Sequence, residues 1–185
     1  MTAPAEAAVT GSLAGRLART ACVTGRFTLP DGQVLDSYFD EYRLAADPQL
    51  LHDVADAMAA TIPDRAEVLA GVELGGVPLV VALSAATGLP ATFLRRLPKA
   101  YGSQRQIEGT VVDGRRVVLV DDVVRSGGQL LAMTRTLRIA GARVADALCV
   151  LERPLGGRAL LADRGVTLHP LLTEADLPGR KEGQS

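Results

Sequence analysis

The chain has 185 residues, of which 48% are hydrophobic and 22% charged, with a formal net charge of -1 and an isoelectric point near 6.1. That length suits one domain with a sizeable core, and the near-zero charge excludes a global field that would draw in nucleic acid or a membrane surface, so neither is expected as a partner. Two cysteines, Cys22 and Cys149, in no CxxC or metal-ligand spacing exclude a disulfide framework and point to a reducing cytoplasm.

Residues 1–11 are small and polar-leaning, with neither the basic start nor the apolar core of a signal peptide, and are expected to be loose, as is the tail from Gly179 to Ser185. Asp47-Pro48 is a helix N-cap followed by a first-turn proline. It predicts a helix to about Ala60 with Leu50, Leu51, Val54, Ala55 and Met58 on one side. Glu67 to Gly71 reads as a short strand, Val77 to Thr87 as a buried helix and Ala91 to Arg95 as a second strand. The 21 residues from Leu74 to Leu94 carry no charge, but Gly75, Gly76, Pro78, Gly88 and Pro90 divide them into pieces too short to span a bilayer. A polar loop, 97–112, precedes a buried strand from Arg116 to Asp121. The pattern then predicts a loop, a helix from about Gly128 to Ala140 stopped by Gly141, a strand from Ala142 to Leu151, a short helix over 157–163 and a last strand from Val166 to Leu171. Cys149 lies inside the Ala142–Leu151 run and reads as a buried hydrophobe.

Strands that alternate with helices predict an α/β fold with a mostly parallel sheet covered on both faces. Ligands of such sheets bind beyond the carboxyl ends of the strands, which singles out the loops 71–76, 95–112 and 121–129.

The densest chemistry lies in Val117-Val-Leu-Val-Asp121-Asp122-Val-Val-Arg125-Ser126-Gly127-Gly128-Gln129. An apolar strand delivers two adjacent carboxylates to the sheet edge, and a glycine-containing turn opens a helix. Glycines admit backbone N–H groups to a phosphate, and the helix N-terminus adds positive potential. The carboxylates would repel that phosphate unless they serve another part of the ligand, such as ribose hydroxyls or a magnesium ion. Two acids before two glycines can also end a strand and cap a turn. A magnesium-dependent nucleotide hydrolase is a third reading, although no G-x-x-x-x-G-K-[ST] loop accompanies it.

The 13 residues from Val117 to Gln129 resemble the 5-phosphoribosyl-1-pyrophosphate (PRPP) motif of type I phosphoribosyltransferases. Four further segments resemble the orotate phosphoribosyltransferases within that group: Arg26 to Asp40, Ala70 to Pro78, Arg95 to Gly109 and Leu151 to Gly157. The resemblance covers about residues 24–175 in the family's order. It implies the type I phosphoribosyltransferase fold, a central mostly parallel sheet flanked by helices, with a small N-terminal hood. It also implies one domain over residues 1–185: a helix and hood at about 12–45, a core at 46–175 and a tail at 176–185.

The reaction implied is transfer of the phosphoribosyl group from PRPP to orotate, giving orotidine 5'-monophosphate and pyrophosphate in de novo pyrimidine synthesis. Asp121 and Asp122 would hold the ribose hydroxyls, and Mg2+ would be held mainly through PRPP rather than by direct protein ligands. The turn Val123, Val124, Arg125, Ser126, Gly127, Gly128 and Gln129 would cradle the 5'-phosphate. Gly75 and Gly76 would contact pyrophosphate. Arg95, Arg96, Lys99 and Tyr101 belong to a mobile PRPP-binding loop. Lys99 would be the main catalytic residue, reaching across a homodimer interface into the neighbouring site. Arg125, Arg153, Tyr38 and Phe39 would meet orotate.

The family's pattern is broken at four positions. Tyr101 stands in place of a common histidine, Arg125 in place of a threonine, Gln129 in place of a small hydroxyl residue, and Pro30 falls where basic or small residues are usual. A phosphoribosyltransferase for another base, or a PRPP-binding regulator with the same fold, remains compatible with the motifs.

Overall fold

The computed structural model describes residues 11–28, 32, 34–98 and 105–178. Residues 1–10 and 179–185, which hold most of the two expected loose ends, lie outside the described residues, as do Pro30, Lys99 and Tyr101.

Helix α1 (Leu13–Ala21) starts where the Ser12 hydroxyl accepts the Gly15 N–H at 3.1 Å, and it buries Leu17 and Ala21. Strands β1 (Cys22–Thr28) and β2 (Val34–Phe39) form a separate antiparallel pair. The Asp40 carboxylate then accepts the N–H groups of Tyr42 and Arg43 to cap the short α2 (Glu41–Ala46). Asp47 does the same for α3 (Pro48–Ala59), accepting the Leu50 N–H at 3.0 Å, with Pro48 in the first turn. The expected N-cap, the proline and the buried face of Leu50, Val54, Ala55 and Met58 are all present.

The main sheet has six strands in the spatial order β5 (Ile107–Gly109), β4 (Ala91–Leu94), β3 (Val68–Val72), β6 (Arg116–Val124), β7 (Arg143–Glu152) and β8 (Thr167–Thr173). Neighbours run parallel, except that β5 is antiparallel to β4. Successive side chains of a strand point to opposite faces, and the core divides on that rule. Val68, Ala70, Val117, Leu119, Ala147 and Cys149 pack against Leu130 and Leu137 of α5 (Gly128–Ile139) and Leu161 of α6 (Gly157–Ala162). Leu69, Val118, Val120, Leu148 and Val150 pack on the other face against α1, α3 and α4 (Gly76–Thr87). Cys149 is fully buried, and that burial pushes its thiol far above the ordinary value, so it serves as core and not as a nucleophile.

Three elements differ from expectation. Helix α4 is apolar all round yet only half-buried, because the sheet covers one side while Val81 stays 52% exposed. Strand β6 continues past Asp121 to Val124, because β7 offers it pairing as far as Glu152. Within the polar loop, β5 adds an edge strand, fixed by the buried Thr92 hydroxyl donating to the Glu108 carbonyl at 2.7 Å. Its three residues are too few to show a period. No described helix is long and apolar enough to cross a membrane.

Near the amino-terminal ends of the strands, buried Asp146 accepts from Arg65 at 2.8 Å and meets His169 Nε2 at 3.0 Å. Burial alone would raise this carboxyl; the hydrogen bonds from His169 and Arg65 outweigh it and hold it below the ordinary 3.8. Asp146→Ala is expected to lose about 1–3 kcal/mol of unfolding free energy at pH 7, read by urea titration. A carboxyl depressed in the folded state stabilises fully above its unfolded value, so the difference is complete above 3.8 and closes as pH falls through the lower folded value.

Candidate active site

The carboxyl ends of β3 and β6 open into a cavity of ≈ 610 Å³, a size that suits a small-molecule ligand. Its floor is the continuous run from Asp121 to Leu130, its far wall holds Gly75 and Arg96, and its rim carries Tyr38, Glu41 and Leu155.

The backbone is crowded into place here. Gly75 and Gly76 turn the chain from β3 into α4, after a cis Glu73–Leu74 peptide. A Cβ on Gly75 would overlap the Asp122 carboxylate, and one on Gly76 would overlap the Val120 carbonyl. On the other side Gly127 has φ +74, and a Cβ there would stand 2.9 Å from the Gly157 carbonyl. That left-handed turn starts α5 so that the helix N-terminus and the turn residues Ser126 to Gln129 face the cavity. Gly157 in turn leaves room for the Arg125 carbonyl, so α6 supports the turn from behind.

The two aspartates are unequal. Asp121 is 4% exposed; its carboxylate accepts the Asp122 N–H at 3.1 Å and the Gln129 side-chain amide at 3.4 Å. Burial, reinforced by the Asp122 charge, pushes the Asp121 carboxyl well above the usual range. Asp122 is half-exposed and lies against Gly75, which makes it the carboxylate that a ligand meets first. Gln129 therefore braces Asp121.

The basic loop is anchored at both visible ends. Glu73 Oε1 accepts the Arg96 N–H at 2.6 Å, and the Glu73 carbonyl accepts Arg96 Nε at 3.2 Å. Gln106 donates its amide to the Arg95 and Arg96 carbonyls at 3.0 and 3.1 Å. Arg96 lines the cavity and Arg95 does not, while Lys99 and Tyr101 fall outside the described residues.

Of the four residues expected to meet a base, two are brought to the cavity. Tyr38 lines it, its hydroxyl donating to Glu41 at 3.2 Å, and the Arg125 guanidinium lies 5.8 Å from the Tyr38 ring centre. Phe39 does not line it: as the next residue on β2 it faces the opposite way and is 1% exposed in the core. Arg153 is 3% exposed and does not line the cavity either. Its guanidinium is drawn to Glu174 at 3.3 Å and to the Ser37 hydroxyl at 3.2 Å. Sequence reasoning missed Glu41, Leu155, Glu73 and Gln106. None carries a local motif, and Glu73 and Gln106 act on partners 10 or more positions away.

A family model described as the phosphoribosyl transferase domain matches residues 43–166. An orotate phosphoribosyltransferase of Nocardioides sp. is 45% identical over 86% of this chain and 89% of its own. The chain belongs to the orotate phosphoribosyltransferase family. A crystal structure of the Mycobacterium tuberculosis H37Rv member superposes with a TM-score of 0.80 at 29% identity, covering 92% of this chain and 99% of that one. The complex of that member with 5-phospho-alpha-D-ribosyl 1-diphosphate gives 0.76 at 26% identity over 91% and 98%. Family membership agrees with the expected α/β fold, a mostly parallel sheet flanked by helices.

Gly76→Ala is expected to cost about 1–3 kcal/mol, because the added methyl meets a fixed backbone carbonyl. Gly75→Ala should cost less than about 1 kcal/mol, since the Asp122 carboxylate can swing aside. Thermal melting of the two variants beside the parent checks the order.

Proposed function

We propose that this protein transfers the 5-phosphoribosyl group of PRPP to orotate, forming orotidine 5'-monophosphate and pyrophosphate in de novo pyrimidine synthesis. The observation that carries the reading is the cavity itself. Its floor sets two carboxylates beside a glycine turn and a helix N-terminus, and Gly75 lies against the second of them.

In this reading the 5'-phosphate lies on the turn from Val124 to Gln129, where backbone N–H groups and the start of α5 favour negative charge. Asp122 accepts from the ribose hydroxyls, with Asp121 behind it, and both are thereby kept from the phosphates. The chain at Gly75 and Gly76 admits pyrophosphate at backbone distance. Val123 shapes the floor between them. A bond forms between the orotate ring nitrogen and the anomeric carbon of the ribose as the bond from that carbon to pyrophosphate breaks. The departing oxygen keeps the electron pair, and the ring nitrogen releases its proton to that pyrophosphate or to solvent as the new bond forms. No protein nucleophile is needed; positioning and stabilisation of the leaving charge suffice. Arg96 faces the cavity from the leaving-group side. We assign Lys99 the main catalytic role, from a loop that Arg95 and Tyr101 share, closing on the leaving pyrophosphate to exclude water.

Among the described residues no three His, Cys, Asp or Glu side chains stand together as a metal site. Two adjacent carboxylates at a phosphate site nevertheless suit Mg2+, which takes one or two protein carboxylates and otherwise substrate oxygens and water. When bound with PRPP it neutralises the pyrophosphate. Asp121 and Asp122 would hold it chiefly through the substrate.

The hairpin β1–β2 brings Tyr38 to the cavity rim and acts in this reading as a hood, within residues 12–45, over the core at 46–175. A homodimer in the cytoplasm completes the reading, with the Lys99 loop reaching into the partner's site.

Mixing the pure protein with PRPP, orotate and magnesium should remove the orotate absorbance; no turnover would overturn the proposal. Lys99→Ala is expected to lower kcat by about 10²–10³-fold, in the same assay. EDTA should abolish turnover and added magnesium restore it.

A further inference from the structure

We propose that Arg125 is the residue that selects an anionic acceptor base, and that Tyr38 is the residue that positions it. The inference rests on the phosphoribosyl-transfer reading above and adds to it the group that reads the acceptor's charge.

Among the described residues two cations line the cavity, Arg96 and Arg125. Arg96 is tied through both its N–H and its Nε to Glu73. Arg125 makes neither a side-chain hydrogen bond nor an ion pair with any described residue, and its Nε is fully buried with no partner. A half-buried guanidinium with no ion pair among the described residues, at the wall of a ligand cavity, is suited to receive an anion. Its planar fork matches a carboxylate in two parallel hydrogen bonds.

The fork is aimed by an aromatic platform. The guanidinium carbon lies 5.8 Å from the Tyr38 ring centre, within cation–π range. Tyr38 is itself fixed twice: its hydroxyl donates to Glu41 at 3.2 Å, and its ring meets Phe27 at 5.6 Å with a 39° tilt. Burial, followed by the Glu41 charge, raises the Tyr38 hydroxyl above its ordinary value, so the phenol keeps its proton at neutral pH and leaves the Arg125 charge uncancelled.

Two anions could use Arg125: a carboxylate on the acceptor or a phosphate of PRPP. The surroundings favour the acceptor. Phosphate is already provided for by the turn from Ser126 to Gln129 and the start of α5. The other side of Arg125 is an aromatic ring, which suits a flat base bearing a carboxylate and not a tetrahedral phosphate. Arg153, the arginine that the family pattern points to, is 3% exposed and drawn to Glu174 and Ser37. It ties the end of β7 to the β2 hairpin and the turn at Glu174–Asp176. In this protein the role of reading the base's charge passes to Arg125.

Orotate is uracil with one added carboxylate, so the pair isolates the interaction. Steady-state kinetics with PRPP and either acceptor would be measured for the parent, Arg125→Met, Arg125→Lys and Tyr38→Leu, with melting curves for each. Arg125→Met is expected to raise the KM for orotate by about 10–100-fold and to lower the preference for orotate over uracil by a similar factor. The KM for PRPP should stay within about threefold, because the turn from Val124 to Gln129 meets the phosphate through backbone N–H groups that a side-chain change at Arg125 leaves in place. Arg125→Lys keeps the charge without the fork and should fall between, while Tyr38→Leu should raise the orotate KM by less than Arg125→Met does. A parent inactive with orotate would remove the underlying reading and this inference with it. A parent active with orotate, beside an Arg125→Met variant whose orotate KM is unchanged or whose PRPP KM rises instead, overturns the inference alone. If Arg125→Met melts too low to assay, an unchanged orotate KM in Arg125→Lys overturns it.

Discussion

Around the carboxyl end of β6 the chain approaches itself more closely than any side chain would permit. Gly71 on β3 lets Val80 of α4 come close, and a Cβ there would stand 2.6 Å from the Gly76 carbonyl. Gly76 sits against the Val120 carbonyl, and Gly127 and Gly157 press backbone to backbone. Close-packed interiors transmit such contacts, so the two loops that flank β6 cannot move independently of the sheet. The cavity is the space left between them, and its floor and far wall are held in register by these glycine contacts.

Charge is then distributed within that rigid frame. The buried Asp121 carboxyl is braced by the Asp122 N–H and the Gln129 amide, while the Asp122 carboxylate lies against Gly75 at the cavity wall. Cations come from the opposite directions: Arg96 from the root of the basic loop, where Glu73 holds it, and Arg125 from the turn, where the Tyr38 ring lies beside it. Acids and bases are close enough to share one ligand yet do not pair with each other across the cavity among the described residues. A cavity arranged in this way favours a ligand that presents hydroxyls to one wall and anionic groups to the others, as a phosphoribosyl donor with an acidic acceptor does.

Much of the fold could be read in advance, because it follows from local chemistry. Asp47-Pro48 can start a helix wherever it stands, and apolar runs such as Val117 to Val120 have few alternatives to a buried strand. The motif from Asp121 to Gln129 was legible for the same reason: a strand, two acids and a glycine turn make a cradle out of consecutive residues. Strand β5 and the exposed side of α4 were not, since the first depends on β4 as a partner and the second on how far the sheet extends.

The four residues expected to meet a base mark the boundary between the two kinds of information. The sequence by itself determined the fold class, the glycine turn after the β6 acids, the paired acids themselves and family membership, because each lies in contiguous residues whose local physics allows few outcomes. It placed Phe39 with Tyr38, adjacent on one strand, and Arg153 with Arg125, 28 positions apart, in one group expected to meet a base. Only the tertiary structure turned Phe39 into the core and Tyr38 toward the cavity, drew Arg153 to Glu174 and Ser37, and left Arg125 without an ion pair among the described residues. The physical reason is that a side chain's role in the cavity is set by which neighbours satisfy it, and those neighbours arrive from distant parts of the chain.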